Sequence, residues 1–219
     1  DFKSKLLRFL IYPLYKVAFN HLNQVVIFHN KEDSKVLLKW GVLSKNKIKL
    51  LKGSGVDLNK FTKFIERKGD PVVCFASRLL IDKGVYEFIS AAKTIRERSI
   101  KARFLLVGDL DTNNPTGLNN DDLTKINSEN IVEVLGFQDD IPSLFEKSHI
   151  ICLPSYREGL PKALIEAAAA SRAIVTTDVP GCRDAIIPNK TGLLVPVRNS
   201  EALALSLIHI SEPTRRKHI

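Results

Sequence analysis

Two glutamates separated by seven residues are the first candidates for chemistry: Glu158-Gly159-Leu160-Pro161-Lys162-Ala163-Leu164-Ile165-Glu166 follows an apolar run that ends in Leu153-Pro154-Ser155. Pro161 suits the first turn of a helix, because its ring pre-sets a helical φ, and that helix is predicted to run through Ala170. Among Ala163, Leu164, Ile165, Ala167, Ala168 and Ala169, Glu166 carries a charge into an apolar setting and needs partners. Vicinal hydroxyls such as those of a ribose would satisfy it, while Glu158, in the loop ahead of the helix, could hold a hexose. The plainer alternative pairs Glu166 with Lys162 one turn earlier, and Glu158 with Arg157 or Lys162 on the surface. Two glutamates framing a Gly-Leu-Pro helix start at the carboxyl end of a strand favour a site.

A second constellation is Ala76-Ser77-Arg78-Leu79-Leu80-Ile81-Asp82-Lys83-Gly84, in which two cations stand five residues apart between a buried strand and a helix. A diphosphate needs such an arrangement, since cations and helix N-terminal amides stabilise the charge that builds on a leaving group. Lys83-Gly84 alone reads equally as a solvated turn, but Arg78 beside a core strand calls for a fixed anionic partner. Paired carboxylates are also what glycosidases use, so hydrolysis with Glu158 and Glu166 as acid and nucleophile is the rival enzyme class; it leaves Arg78 and Lys83 unexplained.

Three further signals have simpler readings. Asp109-Leu110-Asp111 matches a metal-binding Asp-x-Asp, but sits in a polar loop with Asn113, Asn114 and Pro115 and is read as loop. His149 is read as a strand-edge residue rather than a base. Asp139-Asp140 ahead of Ile141-Pro142 reads as a helix N-cap. No His/Cys cluster has metal-ligand spacing, so no metal site is expected.

The elements that must position these groups alternate. Short β-branched runs at 24–29, 48–51, 71–76, 103–107, 130–135, 149–153, 173–177 and 192–195 are each followed by a helix-like stretch, the pattern of a parallel sheet covered by helices. Continuous apolarity in Val72-Val73-Cys74-Phe75 and Phe104-Leu105-Leu106-Val107 buries those strands on both faces. Helices are predicted at 85–98 and 141–147. A charged stretch at 61–69, after Gly53-Ser54-Gly55-Val56-Asp57, marks a boundary, giving an expected division into 1–60, 61–207 and 208–219. Residues 61–207 read as a Rossmann-like, doubly wound α/β domain, whose ligands bind beyond the carboxyl ends of the strands. The last dozen residues, 208–219, abandon this pattern, with 211–217 continuing neither sheet nor helix, and are expected to be a non-native tail.

Composition narrows the classes. A formal charge of +9 invites a nucleic-acid reading, but Lys and Arg are scattered without interleaved aromatics or a nucleic-acid module, so no nucleic-acid partner is expected. A phosphorylated ligand or an anionic membrane explains the excess as well. Residues 1–20 mix Lys3, Lys5, Arg8 and Lys16 with Leu6, Leu7, Phe9, Leu10 and Leu14, a segment suited either to peripheral membrane contact or to packing on another domain, with Pro13 interrupting it. No apolar run reaches the roughly 20 residues that span a bilayer. Cys74, Cys152 and Cys182 are read as buried free thiols, which fits a reducing cytoplasm.

Ser-Arg-Leu then Lys-Gly, Val-Gly-Asp, Leu-Gly-Phe, Pro-Ser then Glu-Gly-Leu-Pro, and Gly-Leu-Leu-Val, in that order over residues 20–207, together resemble the family-4 retaining glycosyltransferases of the GT-B fold. Within it the chain looks similar to bacterial enzymes that extend lipid-linked sugars for capsule, lipopolysaccharide or protein glycans. The resemblance implies that Arg78 and Lys83 hold the donor diphosphate, Glu166 the ribose hydroxyls and Glu158 the transferred sugar. It also implies that the backbone around Gly136 and Phe137 meets the base and that the Gly159-Leu160-Pro161 helix start faces the phosphates. The resemblance further implies transfer of a hexose or N-acetylhexosamine from a nucleotide sugar, with uridine the expected base, to a glycan or polyprenyl-linked acceptor, with retention and without metal or other cofactor. Most of the family's N-terminal acceptor domain has no counterpart here, so the chain is expected to be a fragment, the C-terminal half of a GT-B architecture with a remnant of the first. A non-catalytic nucleotide-sugar-binding module is the alternative from another class.

Overall fold

The computed structural model describes residues 2–211, with side chains from residue 5 onward. It comprises two compact units, Asp1–Ser54 and Gly55–Ile219, which part between Gly53 and Gly55. Both glycines have positive φ, +66° and +80°, a region that side chains disfavour.

In the first unit α1 (Phe2–Ala18) runs without a break through Pro13, which the sequence reading had taken to interrupt it. It leaves Phe9, Leu14 and Val17 more than two-thirds exposed. β1 (Val26–Phe28) pairs in parallel with β2 (Ile48–Leu50), and α2 (Lys31–Lys39) lies between them in sequence, capped by the Asn30 side chain accepting from the Asp33 N–H.

The second unit is built on six parallel strands: β3 (Val72–Ala76), β4 (Arg103–Val107), β5 (Glu133–Gly136), β6 (Ile150–Leu153), β7 (Ala173–Thr177) and β8 (Gly192–Val195), in the spatial order β5-β4-β3-β6-β7-β8. All eight strands fall on the β-branched runs read from the sequence. β3 and β6 are central and buried, because α3 (Val85–Glu97), α4 (Asn120–Glu129), α5 (Ile141–Lys147), α6 (Lys162–Ala169), α7 (Pro180–Asp184) and α8 (Ser200–Ser211) supply apolar faces over the sheet. Phe75, Phe88 and Phe145 are fully buried in this core, and each contributes about 1.5–3 kcal/mol of burial free energy.

The chain starts in the middle of this sheet at β3, winds outward through β4 and β5, then returns to β6 on the other side of β3. The crossovers therefore diverge between β3 and β6, and the crevice beyond their carboxyl ends is where such sheets bind ligands. α8 corrects one expectation: Ile208 to Ser211 remain helical, with Ile210 buried, because Leu207 and Ile210 continue the apolar stripe at a three-residue spacing. The expected non-native tail from residue 212 onward lies outside the described residues.

Candidate functional site

The turn after β3 and the loop after β4 are laced together. Ser77 N–H donates to Val107 C=O at 3.0 Å, Leu79 N–H to Asp109 C=O at 3.0 Å, and Leu118 N–H to Leu79 C=O at 3.0 Å. Gly108 permits the approach, since a Cβ there would stand 1.7 Å from the Ser77 carbonyl oxygen. The lacing brings the Arg78 guanidinium 2.6 Å from an Asp111 carboxylate oxygen, with the Arg78 side chain 61% exposed. Asp111 is thus the anionic partner that the position of Arg78 calls for, and the sequence reading, which took the Asp-x-Asp as plain loop, missed it.

Lys83 ends a 3-10 turn (Ile81–Lys83) that closes on Gly84, left-handed at φ +78°. A Cβ on Gly84 would stand 2.3 Å from the Pro154 carbonyl oxygen, so this turn lies directly against the loop after β6. Tyr156 N–H donates to Asp82 C=O at 2.8 Å across the same junction. The consequence is an ion pair between two loops: Lys83 Nζ stands 2.5 Å from Glu158 Oε1, with their side chains 19% and 11% exposed. The Ser155 hydroxyl donates to that same oxygen at 2.8 Å. Beside the pair, the Tyr156 hydroxyl donates to Glu87 at 2.7 Å and the Arg198 guanidinium lies 4.6 Å from the Tyr156 ring centre. Burial, then the neighbouring Glu87, pushes the Tyr156 phenol up to about 12, so it remains a neutral donor. The sequence held no local signal for these contacts, which join three separate loops.

Glu166 sits in the second turn of α6, whose N-cap is Pro161, the Pro161 C=O accepting from Leu164 N–H at 3.1 Å. Its carboxylate is 3.3 Å from Lys162 Nζ, so the plainer contact considered for it is present. That lysine side chain is 67% exposed while Glu166 is 11% exposed. An exposed i,i+4 pair contributes about 0.3–0.5 kcal/mol, small beside the cost of burying a carboxylate. Gly159, Leu160 and Pro161 lead from Glu158 into this helix, and Gly181 lets α7 pack beneath them: a Cβ on it would stand 2.4 Å from the Gly159 carbonyl oxygen. Gly136 ends β5 at φ +65°, its C=O accepting from Gly108 N–H at 2.9 Å, and the next residue, Phe137, is 65% exposed.

The candidates therefore fall along one rim of the sheet: Gly136 and Phe137 at β5, Arg78 and Lys83 after β3, and Glu158 with Gly159 to Pro161 after β6, leading to Glu166. β5 and β6 are three strand spacings apart, roughly 14 Å. A groove of about 670 Å³ at the amino end of β7, lined by Ser171, Arg172 and Ala173 among others, holds none of them. His149 is buried just ahead of β6, Nδ1 accepting from Val72 N–H at 2.9 Å and Nε2 facing Arg67 C=O at 2.8 Å, a structural role. Asp140 caps α5, accepting from Ser143 N–H at 3.1 Å. All three thiols are buried, and burial pushes Cys74 up to about 12 and Cys182 up to about 11. Among the described residues no cluster of three or more His, Cys, Asp or Glu side chains is placed to hold a metal ion.

The sequence profile described as Glycosyl transferases group 1 matches residues 57–218. The chain belongs to this family. The chain is 35% identical, over 231 residues, to N,N'-diacetylbacillosaminyl-diphospho-undecaprenol alpha-1,3-N-acetylgalactosaminyltransferase of Campylobacter jejuni, covering 98% of this chain and 58% of the relative. Among solved structures, Anabaena HepE in complex with UDP and glucose superposes with a TM-score of 0.74 at 22% identity, over 94% of this chain and 59% of that one. The C-terminal domain of the group 1 glycosyl transferase LpcC of Francisella tularensis gives 0.62 at 21% identity, over 75% of this chain and 92% of that domain. The chain thus has the fold of GT-B glycosyltransferases and spans a little over half the length of the Campylobacter relative and of HepE.

Proposed function

We propose that the second unit binds a nucleotide-diphosphate sugar along the β5–β3–β6 rim, as the donor half of a glycosyltransferase that transfers a hexose or N-acetylhexosamine to a lipid-linked glycan acceptor. The observation that carries the reading is the meeting of Lys83 with Glu158 at the switch point, beside Arg78. Here a group for phosphate and a group for sugar hydroxyls are joined across two loops. In this reading Arg78 and Lys83 hold the diphosphate, Glu158 the sugar, Glu166 the ribose, the Gly159-Leu160-Pro161 turn the phosphates, and Gly136 and Phe137 the base. The exposed Phe137 ring offers the base an apolar face.

The chemistry follows from charge. As the bond from the anomeric carbon to the diphosphate oxygen breaks, its electron pair leaves with the diphosphate. Arg78 and Lys83 stabilise that charge without a metal ion. The acceptor hydroxyl oxygen bonds the same face of the anomeric carbon and its proton passes to the departing diphosphate oxygen, so configuration is retained. A uridine donor is supported by the UDP complex of HepE, and a polyprenyl-diphosphate acceptor by the Campylobacter relative, whose name carries diphospho-undecaprenol; we place the transfer at the cytoplasmic membrane face. The basic, apolar α1 is the segment we assign to peripheral membrane contact. Residues 61–207 are taken as the donor domain and 1–60 as part of the acceptor domain and hinge.

Calorimetric titration with UDP and UDP-N-acetylhexosamines, without metal, tests the donor site. Binding is expected in the parent, weakened about tenfold or more but still measurable in Arg78→Ala and Glu166→Ala, and kept in Lys162→Ala. A folded parent that binds no UDP, GDP or ADP species would sink the reading. Loss in Lys162→Ala equal to that in Glu166→Ala would reduce Glu166 to a surface pair.

A further inference from the structure

Asp111 is the carboxylate on the rim that the proposed donor site leaves without a task. It is not a stray loop residue: its backbone is held by a tight turn in which Asn114 N–H donates to Asp111 C=O at 3.0 Å. Gly117 closes that turn so tightly that a Cβ there would stand 2.0 Å from the Asp111 carbonyl oxygen. The lacing of this loop onto the turn after β3 then aims the carboxylate at Arg78.

The two ion pairs beside the diphosphate position differ in kind. Lys83 and Glu158 are largely buried, whereas the Arg78 side chain is 61% exposed and Asp111 25% exposed. An exposed pair is weak and readily exchanged, because water and salt already screen it. A guanidinium held this way has two possible partners, and an incoming diphosphate must both displace Asp111 and tolerate its like charge.

We propose that Asp111 sets the affinity of the rim for nucleoside diphosphate: it restrains Arg78 when no diphosphate is present and takes it back when the product leaves. The inference rests on the donor-site reading. Its sign is the useful part, since a residue that merely supported the loop would weaken binding when replaced. Asp111 thereby opposes retention of the spent nucleotide, acting through Arg78 as a positioning residue.

The experiment is UDP titration of this chain and its variants. Asp111→Asn is expected to bind UDP about two- to fivefold more tightly at low salt, the range for exchange of an exposed pair, with the gain shrinking as salt rises. Asp111→Ala should move the same way. Asp109→Asn, which removes an equal charge from the same exposed loop, should leave affinity unchanged, and Asp111→Asn should have no effect in an Arg78→Ala background. Equal or weaker binding by both Asp111 variants overturns the proposal, as does an equal gain in Asp109→Asn, which would indicate a general field, or a gain that survives loss of Arg78. A parent chain that binds no nucleoside diphosphate overturns the donor site itself and this inference with it.

Discussion

Replacing Lys83 by Met tests the junction of the two loops directly. Breaking a fully buried ion pair costs about 3–5 kcal/mol, and an exposed one about 0–1 kcal/mol. Lys83 and Glu158 are 19% and 11% exposed, and Glu158 keeps the Ser155 hydroxyl after the lysine is gone, which places Lys83→Met at about 2 kcal/mol. At roughly 2–4 °C per kcal/mol for a domain of this size, the melting temperature should fall by about 4–8 °C. The decisive variant is the double one, Lys83→Met with Glu158→Gln. With both charges removed, no carboxylate is stranded, and stability should return to within about 1 kcal/mol of the parent. UDP affinity should not return, because a charge-assisted hydrogen bond worth about 1.5–3 kcal/mol is still missing, a loss of about ten- to a hundredfold. Thermal melting by circular dichroism and calorimetric titration read the two effects separately. A double variant no more stable than Lys83→Met would refute the coupling of the loops through this pair. One that binds UDP like the parent would remove Lys83 from the diphosphate site.

Gly84→Ala should be far more damaging than Gly55→Ala, although both glycines are left-handed: the first meets Pro154 at 2.3 Å and the second meets nothing within 4 Å. Left-handed backbone alone costs about 1–2 kcal/mol, so melting temperatures that fall equally would refute the steric argument. The Tyr156 phenol lies above its ordinary value of 10.0, at about 12, so the folded state holds that proton longer than the unfolded chain does. The stabilisation is complete below pH 10 and lost as pH rises towards 12. Subtracting the alkaline absorbance titration of Tyr156→Phe from that of the parent should isolate a midpoint near 12, and a midpoint near 10 would contradict the half-buried hydrogen bond to Glu87. A thiol reagent at neutral pH should label none of Cys74, Cys152 and Cys182 in native protein and all of them in denaturant, since burial raises all three thiols; early labelling of Cys182 would show that α7 opens.

The sheet was legible in the sequence because its inner strands are buried on both faces, so that runs such as Val72-Val73-Cys74-Phe75 carry no polar residue to blur them. The two motifs were legible for a related reason: charged residues abutting such runs have few explanations besides a ligand. Partners were not legible. Asp111 lies 33 positions from Arg78, Glu158 lies 75 positions from Lys83, and Glu87 lies 69 positions from Tyr156. Those contacts exist because β3 sits between β4 and β6, an order that local pattern does not encode. The helix through Ser211 was missed because Ser211-Glu212-Pro213 signals a stop, while tertiary burial of Ile210 holds the last turn against the core.

Three cations at this rim rest on carboxylates: Arg78 on Asp111, Lys83 on Glu158, Lys162 on Glu166. The affinity of the rim for a diphosphate therefore depends on which of these pairs yield. Arg78 is 61% exposed and can turn to a diphosphate with little loss, and the 67% exposed Lys162 can release Glu166 as easily, since solvent already screens both pairs. Lys83 cannot leave without stranding Glu158 in a largely buried position. It need not leave, because an ammonium has three donors and Glu158 occupies one of them. Under the proposed reading the Lys83–Glu158 pair is then the fixed element that registers phosphate against sugar, and the exposed pairs adjust around it. High salt should accordingly weaken UDP binding through Arg78 while leaving the junction of the two loops intact.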